Sequence, residues 1–176
     1  MSDMSHLKPY IREISGFPRP GVNFKDIGPL LLSPVRFREA INEMAMRSIP
    51  LRVSKIVAID ARGFIFGSAL AYTMKRGLVL ARKKGKLPGT TMVSADYSLE
   101  YASAALEMQL DAILMNERVL IVDDVLATGG TAAAAAELVR GSGGIVCGFA
   151  FLLELAFLGG ARNLRGEVFS LISFDK

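Results

Sequence analysis

Ten residues carry much of the chemistry open to this chain: Val122-Asp123-Asp124-Val125-Leu126-Ala127-Thr128-Gly129-Gly130-Thr131. Glycine lets a backbone approach an anion closely. A helix beginning near Thr131 would aim its free N–H groups and the positive end of its dipole at the same place. Thr128 and Thr131 add hydroxyl donors. The sum is a phosphate cradle, though not a P-loop, whose GxxxxGK[ST] spacing and lysine are missing. Two acids directly before a cradle repel a bare phosphate. They fit a ligand that carries hydroxyls or a bound cation next to its phosphate, as a phosphorylated sugar with Mg²⁺ does.

A second cluster, Arg82-Lys83-Lys84-Gly85-Lys86, is the densest positive charge in a chain of net charge +4. Read from the residues alone it is a solvated face or an anion site with equal force. The sequence has no Trp, no aromatic-interleaved basic stretch and no zinc-finger or helix-turn-helix pattern, so a small phosphorylated ligand suits it at least as well as nucleic acid. The single histidine, His6, stands in a polar start, and the single cysteine, Cys147, lies in an apolar strand-like run. Histidine metal sites, Ser-His-Asp triads, internal disulfides and multi-cysteine zinc sites are thereby excluded. The chemistry must run on carboxylates, arginine, lysine and backbone.

The elements that position these residues can be read from punctuation and apolar runs. The 176 residues are 51% hydrophobic and 22% charged, enough for one well-packed domain. We therefore expect a single domain over residues 1–176, with 1–10 mobile. The longest uncharged run, Gly141 to Leu153, is too short to cross a bilayer, and the start lacks a secretory pattern. A cytoplasmic protein without a membrane partner is expected. Pro9 to Ser15 reads as a short helix, and Ser33-Pro34 as the cap and first position of a helix to about Arg47. Lys55 to Asp60 reads as a strand, Phe64 to Lys75 as a helix ended by Gly77, and Leu78 to Ala81 as the next strand. Much of Arg82 to Tyr101 reads as a mobile loop, with Thr90 to Val93 and Ala104 to Gln109 as strands. Arg118 to Asp124 is the strongest strand; a helix from Thr131 to about Arg140 and strands at Ile145–Leu153 and Glu167–Ile172 follow. Strand, loop, helix, strand, with wholly apolar strands, predicts an α/β fold: a parallel twisted sheet with helices on both faces. The loops at Asp60–Gly63, Arg82–Lys86 and Asp123–Thr131 all follow strands, so they would gather at one sheet edge, where such folds bind ligands.

Val119 to Thr131 resembles the phosphoribosyl-pyrophosphate motif of type I phosphoribosyltransferases. Three further segments narrow the resemblance to the adenine phosphoribosyltransferase family. They are Phe17-Pro18-Arg19-Pro20-Gly21-Val22-Asn23-Phe24-Lys25-Asp26-Ile27, Asp60-Ala61-Arg62-Gly63-Phe64-Ile65-Phe66-Gly67, and Arg82 to Gly89 leading to Tyr97-Ser98-Leu99-Glu100-Tyr101. The likeness runs from about Ile11 to Phe174. It implies a type I phosphoribosyltransferase-like fold with a flexible loop, and transfer of phosphoribose from 5-phosphoribosyl 1-pyrophosphate to adenine, giving AMP and pyrophosphate. It further implies Mg²⁺ bound mainly through that substrate, with no metal site of the protein's own, and a homodimer; the apolar Phe64–Ala71 segment is one candidate for its interface, which the sequence does not define.

The residue roles that follow are implied by the same resemblance. Arg62, Arg82, Lys83 and Lys84 would hold the pyrophosphate as charge builds on it. Asp123 and Asp124 would take the ribose hydroxyls, and Ala127, Thr128, Gly129, Gly130 and Thr131 the 5′-phosphate. Ala127 stands where 6-oxopurine enzymes carry an acid serving the purine N7, so proton handling passes to Glu100, beside Tyr101, on a loop that closes over the site. Phe24 and Leu155 would lie on the two faces of adenine, with backbone groups near Asn23 and Lys25 reading its amino edge. The Asp60-Ala61 peptide would be cis. Two other readings stay open at this point: a phosphoribosyltransferase for xanthine or guanine, and a regulator that senses phosphoribosyl pyrophosphate and binds nucleic acid.

Overall fold

A computed structural model of the chain describes residues 3–88, 92–99 and 102–176, with 92–99 and 102–104 as backbone alone. A 3₁₀ turn, Ser5–Tyr10, leads into β1 (Arg12–Ser15) and β2 (Asn23–Asp26), an antiparallel ribbon. Helices α1 (Gly28–Leu32) and α2 (Pro34–Ser48) follow. Then come β3 (Lys55–Ile59), α3 (Gly63–Met74) and β4 (Gly77–Lys83), and after them β5 (Met92–Leu99) and β6 (Ala102–Gln109). The chain closes with β7 (Arg118–Leu126), α4 (Gly130–Gly141), β8 (Ile145–Leu155) and β9 (Val168–Phe174).

The main sheet runs β5-β6-β4-β3-β7-β8-β9. Strands β4, β3, β7, β8 and β9 are mutually parallel, as the apolar runs predict. The central strands β3, β7 and β8 are buried on both faces, so successive residues serve different cores, whereas β4 leaves Leu78 and Leu80 exposed. Ile56, Leu120, Val122 and Leu152 pack toward Met44 of α2 and Phe66 and Leu70 of α3. Val57, Ile121, Phe149 and Phe151 pack toward Ala132, Ala135 and Val139 of α4. Such two-sided burial removes the polar alternation that a half-exposed strand would show.

Several expectations are corrected. The start, expected to be mobile, carries a 3₁₀ turn in which Leu7 is wholly buried against the first core and Met4 nearly so. Arg12–Ser15 is strand, not helix, because it pairs with Asn23–Asp26. Lys75, at φ 54°, rather than Gly77, takes the left-handed position that ends α3. The span from Arg82 is less loop than expected. Arg82 and Lys83 pair with Glu107 and Leu106, and β5 pairs with β6 along its whole length. That hairpin is antiparallel, an exception to the parallel rule, because two residues between its strands leave no room for a crossover. The helix of residues 34–48 starts as predicted, with the Ser33 hydroxyl accepting from the Arg36 N–H.

Candidate active site

The carboxyl ends of β3, β4 and β7 bring the three polar loops together. One cleft of about 340 Å³ is lined by Asp60, Ala61, Arg62, Lys83, Asp123, Asp124 and Thr131. A smaller hollow of about 100 Å³, sharing Asp123 and Thr131 with it, is lined by residues 125–132 and Phe151. Its walls are the Ala127, Thr128, Gly129, Gly130 and Thr131 backbone at the start of α4. No side chain caps that helix; Gly129, at φ 82°, precedes it and turns the chain into it. The first N–H groups therefore stay free to meet an anion.

This turn depends on close backbone contacts that only glycine permits. A Cβ on Gly160 would run into the Ala127 carbonyl, and one on Gly129 into the Gly160 carbonyl. Asn163 completes the support, its side-chain amide donating to the Thr128 carbonyl at 2.8 Å. A Cβ on Gly63 would fall 2.8 Å from Asp123 Oδ1, so α3 begins directly against the acids. Gly160 and Asn163 were not foreseen from sequence; the Gly159-Gly160 pair was the one local signal. Glu107 was missed too, a single acid in an apolar strand, and Asp60, placed in a ligand-edge loop, was given no side-chain role.

Asp124 is 3% exposed. The Arg62 Nε lies 2.7 Å from its Oδ2, an ion pair in which the oxygen receives no directed hydrogen bond. Asp123 Oδ1 accepts from the Asp124 N–H at 2.9 Å. Burial pushes the Asp123 carboxyl well above the ordinary carboxylate range, and the charge of Asp124 adds to the rise. Burial also raises Asp124, with Arg62 opposing it. Two adjacent acids, one buried and one half-buried, with a carboxylate oxygen that receives no directed hydrogen bond, leave acceptor capacity in the cleft beside Arg62 and Lys83. Sugar hydroxyls, as donors, or a cation would use it.

Arg82 is braced by Asp60, Nε to Oδ2 at 3.3 Å. The basic loop is pinned from below: the Gly85 N–H donates to the buried Glu107 carboxylate and the Lys84 N–H to the Ala105 carbonyl. Lys83 reaches the cleft, whereas the side chain of Lys84, exposed, is not among its lining residues. Asn23, Lys25 and Leu155 line a separate cleft of about 650 Å³. Phe24 is not on that wall. Its ring meets the Arg62 guanidinium at 4.9 Å and the Phe17 ring at 5.2 Å. Glu100 and Tyr101 lie outside the described residues. The Asp60-Ala61 peptide is cis, as expected, and Phe17-Pro18 is cis as well.

Comparison with known proteins agrees with this geometry. Residues 37–160 match the family model described as phosphoribosyl transferase domain. Adenine phosphoribosyltransferase from Geobacter metallireducens is 49% identical over 172 residues, covering 97% of this chain and all of the relative. The chain belongs to the adenine phosphoribosyltransferase family. The Synechococcus enzyme of that name is 50% identical over 171 residues, 96% of this chain and 97% of its own. Among solved structures, the family member from Thermoanaerobacter pseudethanolicus superposes with a TM-score of 0.94 at 45% identity, over 97% of this chain and 99% of its own. The Saccharomyces cerevisiae structure gives 0.91 at 37%, over 96% and 97%. Among the described residues no helix is long and apolar enough to cross a membrane.

Proposed function

We propose that the chain transfers the phosphoribosyl group of 5-phosphoribosyl 1-pyrophosphate to adenine, giving AMP and pyrophosphate in purine salvage. The observation that carries this reading is the acid pair, Asp124 buried and Asp123 half-buried, set between Arg62 and the glycine-built hollow, a place for a sugar joined to two kinds of phosphate. The relatives support the choice of base: the yeast family member was solved with adenine and the Giardia lamblia member with 9-deazaadenine.

In the reaction, adenine N9 forms a bond to the anomeric carbon as the bond from that carbon to the pyrophosphate oxygen breaks. The departing oxygen keeps the electron pair, and the base sheds a proton. Residues 127–131 hold the 5′-phosphate on backbone N–H groups, Asp123 and Asp124 take the ribose hydroxyls, and Arg62, Arg82, Lys83 and Lys84 offset the charge growing on pyrophosphate. Glu100 handles the base proton, and Tyr101 beside it in sequence contributes to substrate binding. Phe24 bounds the base, Asn23 and Lys25 read its amino edge through backbone groups, and Leu155 supports it from beneath. A carbonyl at that edge would leave a 6-oxopurine unpaired.

Magnesium fits the same place. Asp124 Oδ2, which receives no directed hydrogen bond, and the neighbouring Asp123 carboxylate are oxygen donors of the kind a hard cation takes. Asp123 and Asp124 would meet it while the substrate's own oxygens supply most of its ligands; when bound, it neutralises pyrophosphate charge. Among the described residues no cluster of three acids, histidines or cysteines could hold a metal alone. A homodimer is supported by exposed Ile65 and Tyr72 on α3 beside exposed Leu78 and Leu80 on β4. Placement in the cytoplasm goes with these substrates.

The deciding experiment compares adenine, hypoxanthine and guanine as acceptors with 5-phosphoribosyl 1-pyrophosphate. Adenine should give a kcat/KM at least about a thousandfold above the others, the scale on which a buried unpaired polar group discriminates. Equal use of the three would overturn the reading.

A further inference from the structure

We propose that Glu13 is a positioning residue for the base: its carboxylate clamps two side chains of β2 and so fixes the backbone edge that reads adenine. The inference rests on the reading above that this edge faces the base. Among the described residues the β1–β2 ribbon has no third strand, and a lone pair of strands is at best marginally stable. All four residues of β1 are exposed, so apolar burial does not hold that strand in place.

Polar contacts hold it instead. Glu13 stands opposite Lys25 in the ribbon. Its Oε1 accepts from the Lys25 Nζ at 2.7 Å, and its Oε2 accepts from the Asn23 side-chain amide at 2.7 Å. Residues two apart on a strand share a face. One carboxylate thus grips the side chains on either side of Phe24 and commits that ring to the opposite face, over Arg62. The Lys25 side chain is 3% exposed, and its ammonium lies 4.3 Å from the centroid of Phe174 at the end of β9. Glu13, Lys25 and Phe174 therefore tie the ribbon to the main sheet. The two hydrogen bonds hold the Glu13 carboxyl below its usual value, so the clamp is charged at neutral pH. Without Glu13 the buried ammonium loses its carboxylate, and it regains a partner by swinging toward water and taking β2 with it.

The test uses the full chain, with Glu13→Ala, Glu13→Gln, Lys25→Met and the double variant Glu13→Ala/Lys25→Met. Steady-state kinetics vary each substrate, and amide exchange is followed at residues 23–26. Glu13→Ala should raise the KM for adenine about tenfold, the scale of a lost charge-assisted hydrogen bond, while the KM for 5-phosphoribosyl 1-pyrophosphate moves less than about twofold. Glu13→Gln, which keeps one acceptor, should recover about half of that effect on a logarithmic scale. In the Lys25→Met background the alanine substitution should add less than it does alone. Exchange at 23–26 should quicken in Glu13→Ala with little change in the thermal midpoint. An unchanged adenine KM, or an equal rise for both substrates with a lower midpoint, overturns the clamp. Should the wild type prefer another purine, the base reading fails instead, and the clamp is scored on that purine's KM and on the exchange.

Discussion

At the phosphate end of the site, the cradle is backbone wedged between a buried strand, the start of α4 and the residue 160–163 segment. At the base end, the ribbon of β1 and β2 is largely exposed and held by Glu13, Lys25, Asn23 and the Phe174 ring. The first owes its shape to the absence of side chains, the second to their charges. A site built on steric exclusion tolerates almost no added atom, whereas one built on polar ties can move and be retuned. That division suits a reaction in which the sugar phosphate must be held in line and a flat base must slide in against it.

The contrast can be broken most forcefully at Gly160. Gly160→Ala sets a Cβ against the Ala127 carbonyl, a backbone atom with no rotamer to escape through. Overpacking of this kind costs about 1–3 kcal/mol, and thermal unfolding should show it. Turnover with 5-phosphoribosyl 1-pyrophosphate should fall at least about a hundredfold, because a small displacement of the cradle misplaces the whole sugar. Wild-type kinetics would mean that the cradle is softer than its contacts imply.

Asp124→Asn should lower kcat/KM for 5-phosphoribosyl 1-pyrophosphate by about a hundredfold, the usual scale for removing one charge or donor from a preorganised site. It should not lower the thermal midpoint, since it removes a desolvated charge. Kinetics and unfolding measured on one preparation separate the two effects.

The smallest predicted effect sharpens the comparison through pH. Burial, with the Asp124 charge second, raises the Asp123 carboxyl in the folded state. A carboxyl raised on folding gives stability that grows as the pH falls through the raised value and is complete below its ordinary 3.8. Asp123→Asn should therefore stabilise the unliganded protein most at neutral pH, with the advantage shrinking toward pH ~4. Glu13 has the opposite sign. Lowered by Lys25 and Asn23, it contributes stability above its ordinary 4.5 that is lost as the pH falls further. An advantage for Asp123→Asn that grows on acidification would contradict the burial argument.

The same division explains what the sequence made legible. The cradle could be read because its glycines, threonines and acids lie within ten consecutive residues, and the parallel strands because burial on both faces leaves unbroken apolar runs. The three loops met at one edge because each follows a strand. Contacts between distant segments could not be read: Gly160 behind Ala127, Glu107 beneath Gly85, and Glu13 between Asn23 and Lys25. Each is a single residue whose meaning comes from a neighbour many positions away. The ribbon itself looked helical because Pro9 resembles a helix start, and its pairing with Asn23–Asp26 overrode that local signal.

The account turns on the hollow at residues 127–131. A crystal structure with AMP tests it most directly. The 5′-phosphate should lie within hydrogen-bond distance of the N–H groups of Thr128 to Thr131, with the ribose hydroxyls on Asp123 and Asp124. Nucleotide bound elsewhere, with that hollow left to solvent, would contradict it.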